Sequence, residues 1–336
     1  MRQFPEVGWT LLTLPARHFA WRIRGNPLSL LHEYSEQLAG KYDLCIATSM
    51  VDLATLRGLV PQLAATRCLL YFHENQFAYP VSSRQHQSLE PQMVNLYAAL
   101  AADQILFNSE YNRSSFLAGV EGLMLALPDY TPQNLAARLR EKSAVLPVPL
   151  ELPTAPVSRK PHSAIPKLLW NHRWEYDKGP ALLLSILQQL HAEGVPLRLA
   201  IIGQQFRTAP PEFAEIQTLL AQSQTLQLEQ WGYVEEVARY RCLLAESDIV
   251  LSTADHDFQG LAVLEAVAAG CTPVVPDALA YPEWFPPECR YDKGEAVRLI
   301  RRLQEGGSER PVPDLRFLGW EALKPRYAVL LESLLS

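Results

Sequence analysis

The sequence predicts an α/β protein of two domains, each a parallel sheet covered on both faces by helices. Three observations carry this. Short apolar runs alternate with helical patterns along nearly the whole chain, as they do where helices cross over parallel strands. The 336 residues are 48% hydrophobic and 20% charged, an ordinary globular mix that is long enough for two cores. Between two series of apolar runs, residues 147–166 hold six prolines among polar residues, the composition of a linker.

In the first half, strands are expected over 9–14, 43–48, 67–72, 104–108 and 144–148. In the second half they are expected over 167–171, 197–203, 226–232, 248–253 and 272–276. Amphipathic stretches such as 180–190 and 233–245 read as the helices between them, and 320–335 as a last helix. The domains are placed at 1–152 and 153–336, both Rossmann-like, with a cleft between them. No apolar run approaches the roughly twenty residues of a transmembrane helix, so no membrane association is expected. The first nine residues lack a basic start followed by an apolar run, so no signal peptide is expected. The five cysteines are scattered, without CxxC spacing, and Cys45, Cys68 and Cys242 sit inside apolar runs. They read as buried free thiols of a cytoplasmic protein rather than as disulfides or a zinc site. The net charge of −6 argues against nucleic-acid binding by the whole surface and leaves a local basic patch open.

The densest chemistry lies in the second half. In the segment from Ser252 to Gly270 a strand ends, a short loop follows, and a helix starts near Gly260. Ligands of open parallel sheets bind at such carboxyl ends. The amides of Gly260 and Leu261 would point at a phosphate, favoured by the helix dipole. Asp257 on the loop and Glu265 about one turn into the helix would face one cleft. Carboxylates suit sugar and ribose hydroxyls because each oxygen accepts more than one bond. A plainer role fits the same residues, with Asp257 capping the helix and Glu265 solvated on its surface. Arg173 and Lys178 straddle another strand-to-helix loop, where they would put a cation on each side of a leaving diphosphate. Gly203 ends a further strand, at a turn or a close backbone approach.

Arg173…Lys178-Gly179, together with Asp257-x-x-Gly260-x-x-x-x-Glu265-Ala, resembles the retaining GT-B glycosyltransferases, the group that includes sucrose and mannosyl transferases. Their pattern has Glu in the place of Asp257. The resemblance implies a GT-B fold, with Arg173 and Lys178 on the donor diphosphate, Glu265 on the ribose and Asp257 on the transferred sugar. It implies no cofactor and no metal. Transfer would retain the anomeric configuration, by front-face attack with the leaving phosphate as base.

In the first half, His73, Glu74, Asn75 and Gln76 follow a strand end. His73 would hydrogen-bond the donor sugar or a developing charge, and Glu74, Asn75 and Gln76 acceptor hydroxyls. A single histidine there is more often structural, but four polar side chains in a row need partners. The segment from Thr13 to Gly25 carries Arg17, Trp21, Arg22 and Arg24 and no acid, a composition that suits phosphates and unstacked bases as well as a merely basic loop. Arg84 and His86 add to the same charge. These two segments, with Asn171-His-Arg-Trp-Glu and Leu279-Ala-Tyr-Pro-Glu-Trp-Phe-Pro286, resemble the tRNA-queuosine α-mannosyltransferases over nearly the whole chain.

That resemblance implies GDP-mannose as donor. The acceptor it implies is the cyclopentene-diol of queuosine at the wobble position of an aspartate tRNA. A different acceptor, lipid or small glycoside, and an inactive nucleotide- or tRNA-binding protein of the same fold are the alternatives. Members of that family begin with a strand, a Gly-Gly-Ser-His-like loop and a helix before the segment matching residues 9–24. The chain starts within what would be the end of that helix, so a gap or an exposed edge is expected in the first sheet.

Overall fold

The computed structural model describes residues 2–15, 18–79, 88–152, 165–206, 209–292, 294–305 and 310–335. The chain forms two compact units. One comprises Met1–Val148 and Ala322–Ser336, the other Pro149–Glu321.

The first unit is built on a four-stranded parallel sheet in chain order. Its strands are β1 (Leu44–Thr48), β2 (Arg67–Phe72), β3 (Gln104–Phe107) and β4 (Ser143–Val145). Strand β2 is buried from Cys68 onward, as expected of a central parallel strand covered on both faces. Alternate residues serve the two faces. Cys68, Leu70 and Phe72 pack with Phe116, Leu117 and Val120 of the helix Glu110–Ala126. Leu69 and Tyr71 pack on the other face with Leu323 and Leu334 of the helix Trp320–Leu335. That last helix is further tied by Arg326 Nη2 donating to the Val145 carbonyl (3.0 Å) and Tyr327 Oη donating to that of Pro147 (2.9 Å). The expected boundary placed all of 153–336 in the second domain. Its final helix instead belongs to the first unit, because the second face of that sheet needs an apolar cover.

Residues 9–14 are not a strand. A strand exists by its ladder, and among the described residues this stretch pairs with none. Leu12 and Leu14 pack against Leu30, Leu38 and Leu56, while Leu11 is exposed. Strand β1 is an edge of the sheet, with Ile46 exposed, and the four strands pair without a gap.

The second unit has a six-stranded parallel sheet. Its strands are β5 (Lys167–Asn171), β6 (Leu197–Ile202), β7 (Leu226–Gly232), β8 (Ile249–Leu251), β9 (Thr272–Pro276) and β10 (Arg290–Tyr291). Their order is β10-β9-β8-β5-β6-β7. From β5 the chain winds outward through β6 and β7, then crosses to the other side of β5 for β8, β9 and β10. The carboxyl end between β5 and β8 is therefore the topological switch point, where open α/β sheets bind ligands. Strand β10, two residues long, has no periodicity to betray it. Cys242 corrects the expectation of buried thiols: it is exposed on the helix Val237–Glu246, whereas Cys68, Cys271 and Cys289 are buried and Cys45 half-buried, all as free thiols. No helix among the described residues is long and apolar enough to cross a membrane.

Candidate functional site

The site grows from the carboxyl ends of β5 to β8. Strand β5 ends at Asn171, and His172, Arg173 and Trp174 turn across the end of β6. There the His172 amide donates to the Ile202 carbonyl (3.2 Å) and the Trp174 amide to that of Gln204 (2.9 Å). Gly203 makes this crossing possible. Its φ is +143°, and any Cβ would overlap the His172 carbonyl oxygen. The loop is pinned by Trp174, whose ring stacks on Phe213 with centroids 4.0 Å apart. A cavity of about 190 Å³ opens here, lined among others by Asn171, His172, Arg173, Gly203, Tyr233 and Tyr240.

A second loop, from Tyr176 to Gly179, is interlocked with the loop after β8. The Asp255 and His256 amides donate to the Asp177 carbonyl (2.9 and 3.2 Å), and Thr253 Oγ1 donates to that of Lys178 (2.8 Å). Trp170 Nε1 in turn donates to Thr253 Oγ1 (2.9 Å), fixing the hydroxyl from the core. At Gly179, with φ of +63°, a Cβ would overlap the Thr253 carbonyl. Arg173 and Lys178 on one segment are thereby locked to Asp257 and the helix Leu261–Ala268 on another.

The two cations stand differently. Arg173 is 48% exposed and pairs with Glu175 at 3.0 Å, an exposed contact that contributes little stability and exchanges readily. Lys178 is buried; its Nζ donates to the His256 carbonyl (2.6 Å) and lies 3.2 Å from Asp177 Oδ2. Asp177 is 1% exposed, so this pair is held out of water. Burial pushes the imidazoles of His172 and His256 down to about 4, only partly opposed by Asp257 and Asp177, so both are neutral at pH 7. Lys178, Asp177 and Asp257 act electrostatically on both rings, which groups these five side chains in one cluster.

Asp257 fastens the loop ahead of the helix, whose N-cap is Gly260 with no side-chain cap bond. Its Oδ1 accepts from the Gly260 amide (3.1 Å) and its Oδ2 from Tyr281 Oη (3.0 Å). The Gly260 amide, expected to face a phosphate, is thus occupied by the carboxylate three residues before it. The Leu261 amide remains at the first turn, ahead of the first helical bond from Leu264 to the Gly260 carbonyl. The Asp257 carboxylate is half-buried and keeps lone pairs for a further donor. Glu265 is exposed, but its Oε2 accepts from Tyr240 Oη at 2.7 Å.

In the first unit the expected residues part company. His73 is exposed, with its ring centroid 4.7 Å from that of Tyr71, and desolvation by the surrounding protein lowers its pKa. Gln76 Nε2 donates to Glu74 Oε1 (3.3 Å), and both side chains are half-buried. Asn75 is a correction. It is fully buried, and its Nδ2 donates to the Asn112 carbonyl, Asn112 Oδ1 and Ser115 Oγ, while its Oδ1 accepts from the Phe77 and Ala78 amides. Its side chain has no capacity left for an acceptor and shapes the turn instead. Arg24 is exposed; its Nη1 binds Asp52 (2.7 Å) and its Nε lies 3.5 Å from Glu90. Its charge is answered within the unit. Trp21 is exposed and lies over Gly25; Arg22 is half-buried. Arg17, Arg84 and His86 lie outside the described residues.

Sequence reasoning missed His172, Asp177, Tyr240, His256 and Tyr281. His172, Asp177 and His256 were adjacent to chosen residues and offered that signal. Tyr281 lies in the motif segment 279–286, while Tyr240 comes from a distant helix and only the fold brings it in.

Comparisons with known proteins agree with this architecture. Residues 1–150 match the family described as tRNA-queuosine alpha-mannosyltransferase N-terminal, and residues 166–291 match glycosyl transferases group 1. A Drosophila melanogaster tRNA-queuosine alpha-mannosyltransferase is 36% identical over 296 residues, 85% of this chain and 77% of that one. Among solved structures, HepE of Anabaena in complex with UDP aligns over 93% of this chain and 82% of its own (TM-score 0.62, 14% identity). Sucrose-phosphate synthase of Thermosynechococcus elongatus aligns over 96% and 80% (TM-score 0.62, 17% identity). These two likenesses establish the GT-B fold. The chain is a glycosyltransferase and belongs to the tRNA-queuosine alpha-mannosyltransferase family.

Proposed function

We propose that this chain transfers mannose from GDP-mannose to the cyclopentene-diol of queuosine, at the wobble position of an aspartate-type tRNA, with retention of configuration. The observation that carries the reading is the interlock at the switch point, which sets Arg173 and Lys178 against Asp257 and the first turn of Leu261–Ala268. A leaving nucleoside diphosphate gains charge as its bond to the sugar breaks, and pre-set cations and helix amides stabilise that charge. Arg173 exchanges Glu175 for a phosphate, and Lys178 supplies the second cation from its buried position. The Leu261 amide and the backbone at Gly203 and Gly260 border the same donor. Asp257, held by Tyr281, takes hydroxyls of the transferred sugar, and Glu265 the ribose. No metal enters this scheme. The acceptor oxygen bonds to the anomeric carbon on the face the diphosphate leaves, and its proton passes to the departing phosphate oxygen.

In the first unit, His73, Glu74 and Gln76 are the groups proposed to meet the sugar and the acceptor hydroxyls. Trp21 and Arg22 are proposed to meet the tRNA. The enzyme so described works in the cytoplasm. The test is nucleoside mass analysis of bulk tRNA after incubation with the protein and GDP-mannose, beside UDP-glucose as control donor. A hexosyl increment on queuosine with GDP-mannose alone is the expected result. No increment, or an increment on another nucleoside, rejects the reading.

A further inference from the structure

Glu265 projects from an exposed helix surface, where a glutamate ordinarily samples several rotamers at an entropic cost when a ligand selects one. Here it is restrained. Tyr240, from the helix Val237–Glu246, donates its hydroxyl proton to Glu265 Oε2 at 2.7 Å. The same hydroxyl accepts from Asn171 Nδ2 at 2.9 Å, at the end of β5. Asn171 Nδ2 also lies 3.4 Å from the Ala262 carbonyl. That carbonyl decides the polarity of the chain. With the amide turned over, Asn171 Oδ1 would face the Ala262 oxygen, acceptor against acceptor. The nitrogen therefore faces both oxygens, the tyrosine hydroxyl receives a hydrogen bond, and its single proton is left for the carboxylate. Asn171 is buried and Tyr240 half-buried, and both line the cavity, so the relay that ends at Glu265 is anchored in the second unit's core.

We propose that Asn171 and Tyr240 are positioning residues that fix the Glu265 carboxylate for the ribose diol of the donor nucleotide. The inference rests on the proposed ribose role of Glu265 and adds to it the two residues that make the carboxylate directional. One oxygen is held by Tyr240, and the other is presented to the ligand. Removal of the tyrosine hydroxyl leaves the carboxylate in place but free to turn. Discrimination between a ribose and a nucleoside without its hydroxyls then falls, although Glu265 itself has not changed.

The experiment is titration calorimetry of GDP and 2′,3′-dideoxy-GDP on the wild-type chain, Glu265→Gln, Tyr240→Phe and Asn171→Ser, with unfolding midpoints to confirm that each variant is folded. Asn171→Ser removes the donor that orients the hydroxyl and serves as an independent second variant. The wild type should prefer GDP by about tenfold or more, as a hydrogen bond to a charged group warrants. All three variants should shrink that preference to within about threefold. A merely structural role would lower both affinities together and leave their ratio alone. A ratio that collapses in Glu265→Gln but persists in Tyr240→Phe and Asn171→Ser overturns the relay and leaves the ribose role standing. Absence of any preference in the wild type, or of GDP binding, overturns the ribose role and the relay with it.

Discussion

The two units place their polar residues in contrasting ways. In the second, the segment of Arg173 and Lys178 is interlocked with the one that carries Asp257 and leads into the helix of Glu265, because the topology gathers the ends of β5 and β8 at one point. In the first, Asn75 is buried and holds the backbone, and Arg24, though exposed, is engaged by neighbouring carboxylates. A polar residue after a parallel strand is as readily a structural fastener as a ligand group. What separates the two is whether its hydrogen-bonding capacity is already filled.

The largest expected effect is at Lys178. Lys178→Ala removes a cation from the proposed diphosphate site and leaves Asp177 buried without its partner. Stripping one member of a buried pair costs about 3–5 kcal/mol, so the melting temperature should drop markedly. Transfer should fall by about a hundredfold in kcat/KM. A stable, active Lys178→Ala enzyme would dissolve the contrast between the units. Asn75→Ala should be of similar size but purely structural. Several buried donors and acceptors lose partners, at about 1–3 kcal/mol each, with little change in donor KM once the protein is folded. Thermal unfolding beside steady-state kinetics separates these two variants.

Arg173→Ala is expected to do the reverse of Asn75→Ala. Its exposed pair with Glu175 contributes little, so stability should hold while kcat/KM for the donor falls about tenfold. Unchanged kinetics would remove Arg173 from the diphosphate site.

The histidines predict a pH dependence belonging to the second unit. His172 and His256 have folded pKa values of about 4, below the ordinary imidazole value of roughly 6.5. Between those values the unfolded chain binds more protons than the folded one. Stability should therefore be full above about pH 6.5 and fall toward pH 4, by up to about 1.4 kcal/mol per pH unit for each ring. Chemical unfolding from pH 7 to 4 checks the sign, and His172→Gln and His256→Gln should each flatten the slope. A slope that neither variant changes would place its origin elsewhere.

The smallest effect is expected at Arg24. With its guanidinium held by Asp52 and Glu90, Arg24→Ala should leave the salt dependence of tRNA binding nearly unaltered. A phosphate contact on a single strand would instead change the log–log slope by about 0.7.

Much of this was legible in the chain. Strands β2, β5, β7 and β9 match their expected bounds, because a buried parallel strand is an apolar run cut off by polar residues or glycine. The positions of Arg173, Lys178, Asp257 and Glu265 were legible for the related reason that strand ends expose loops. The misses share a cause, in that each depends on a partner distant in sequence. The segment 9–14 has strand-like residues and, among the described residues, no strand paired with it. The helix Trp320–Leu335 is amphipathic for a sheet about two hundred residues earlier in the chain, a pairing that spacing alone cannot signal. Asp257 was read both as a cap and as a ligand group; its bonds to Gly260 and Tyr281 hold the loop before the helix, whose N-cap Gly260 has no side-chain cap bond. Tyr240 carried no motif at all, and its role follows only from standing between Asn171 and Glu265.

The most direct test of the central claim is sugar transfer from labelled GDP-mannose to two otherwise identical aspartate tRNAs, one with queuosine and one with guanosine at the wobble position. The account predicts label on the queuosine tRNA alone, lost in Lys178→Ala and reduced in Arg173→Ala. Equal labelling of both tRNAs, or labelling of neither, would contradict it.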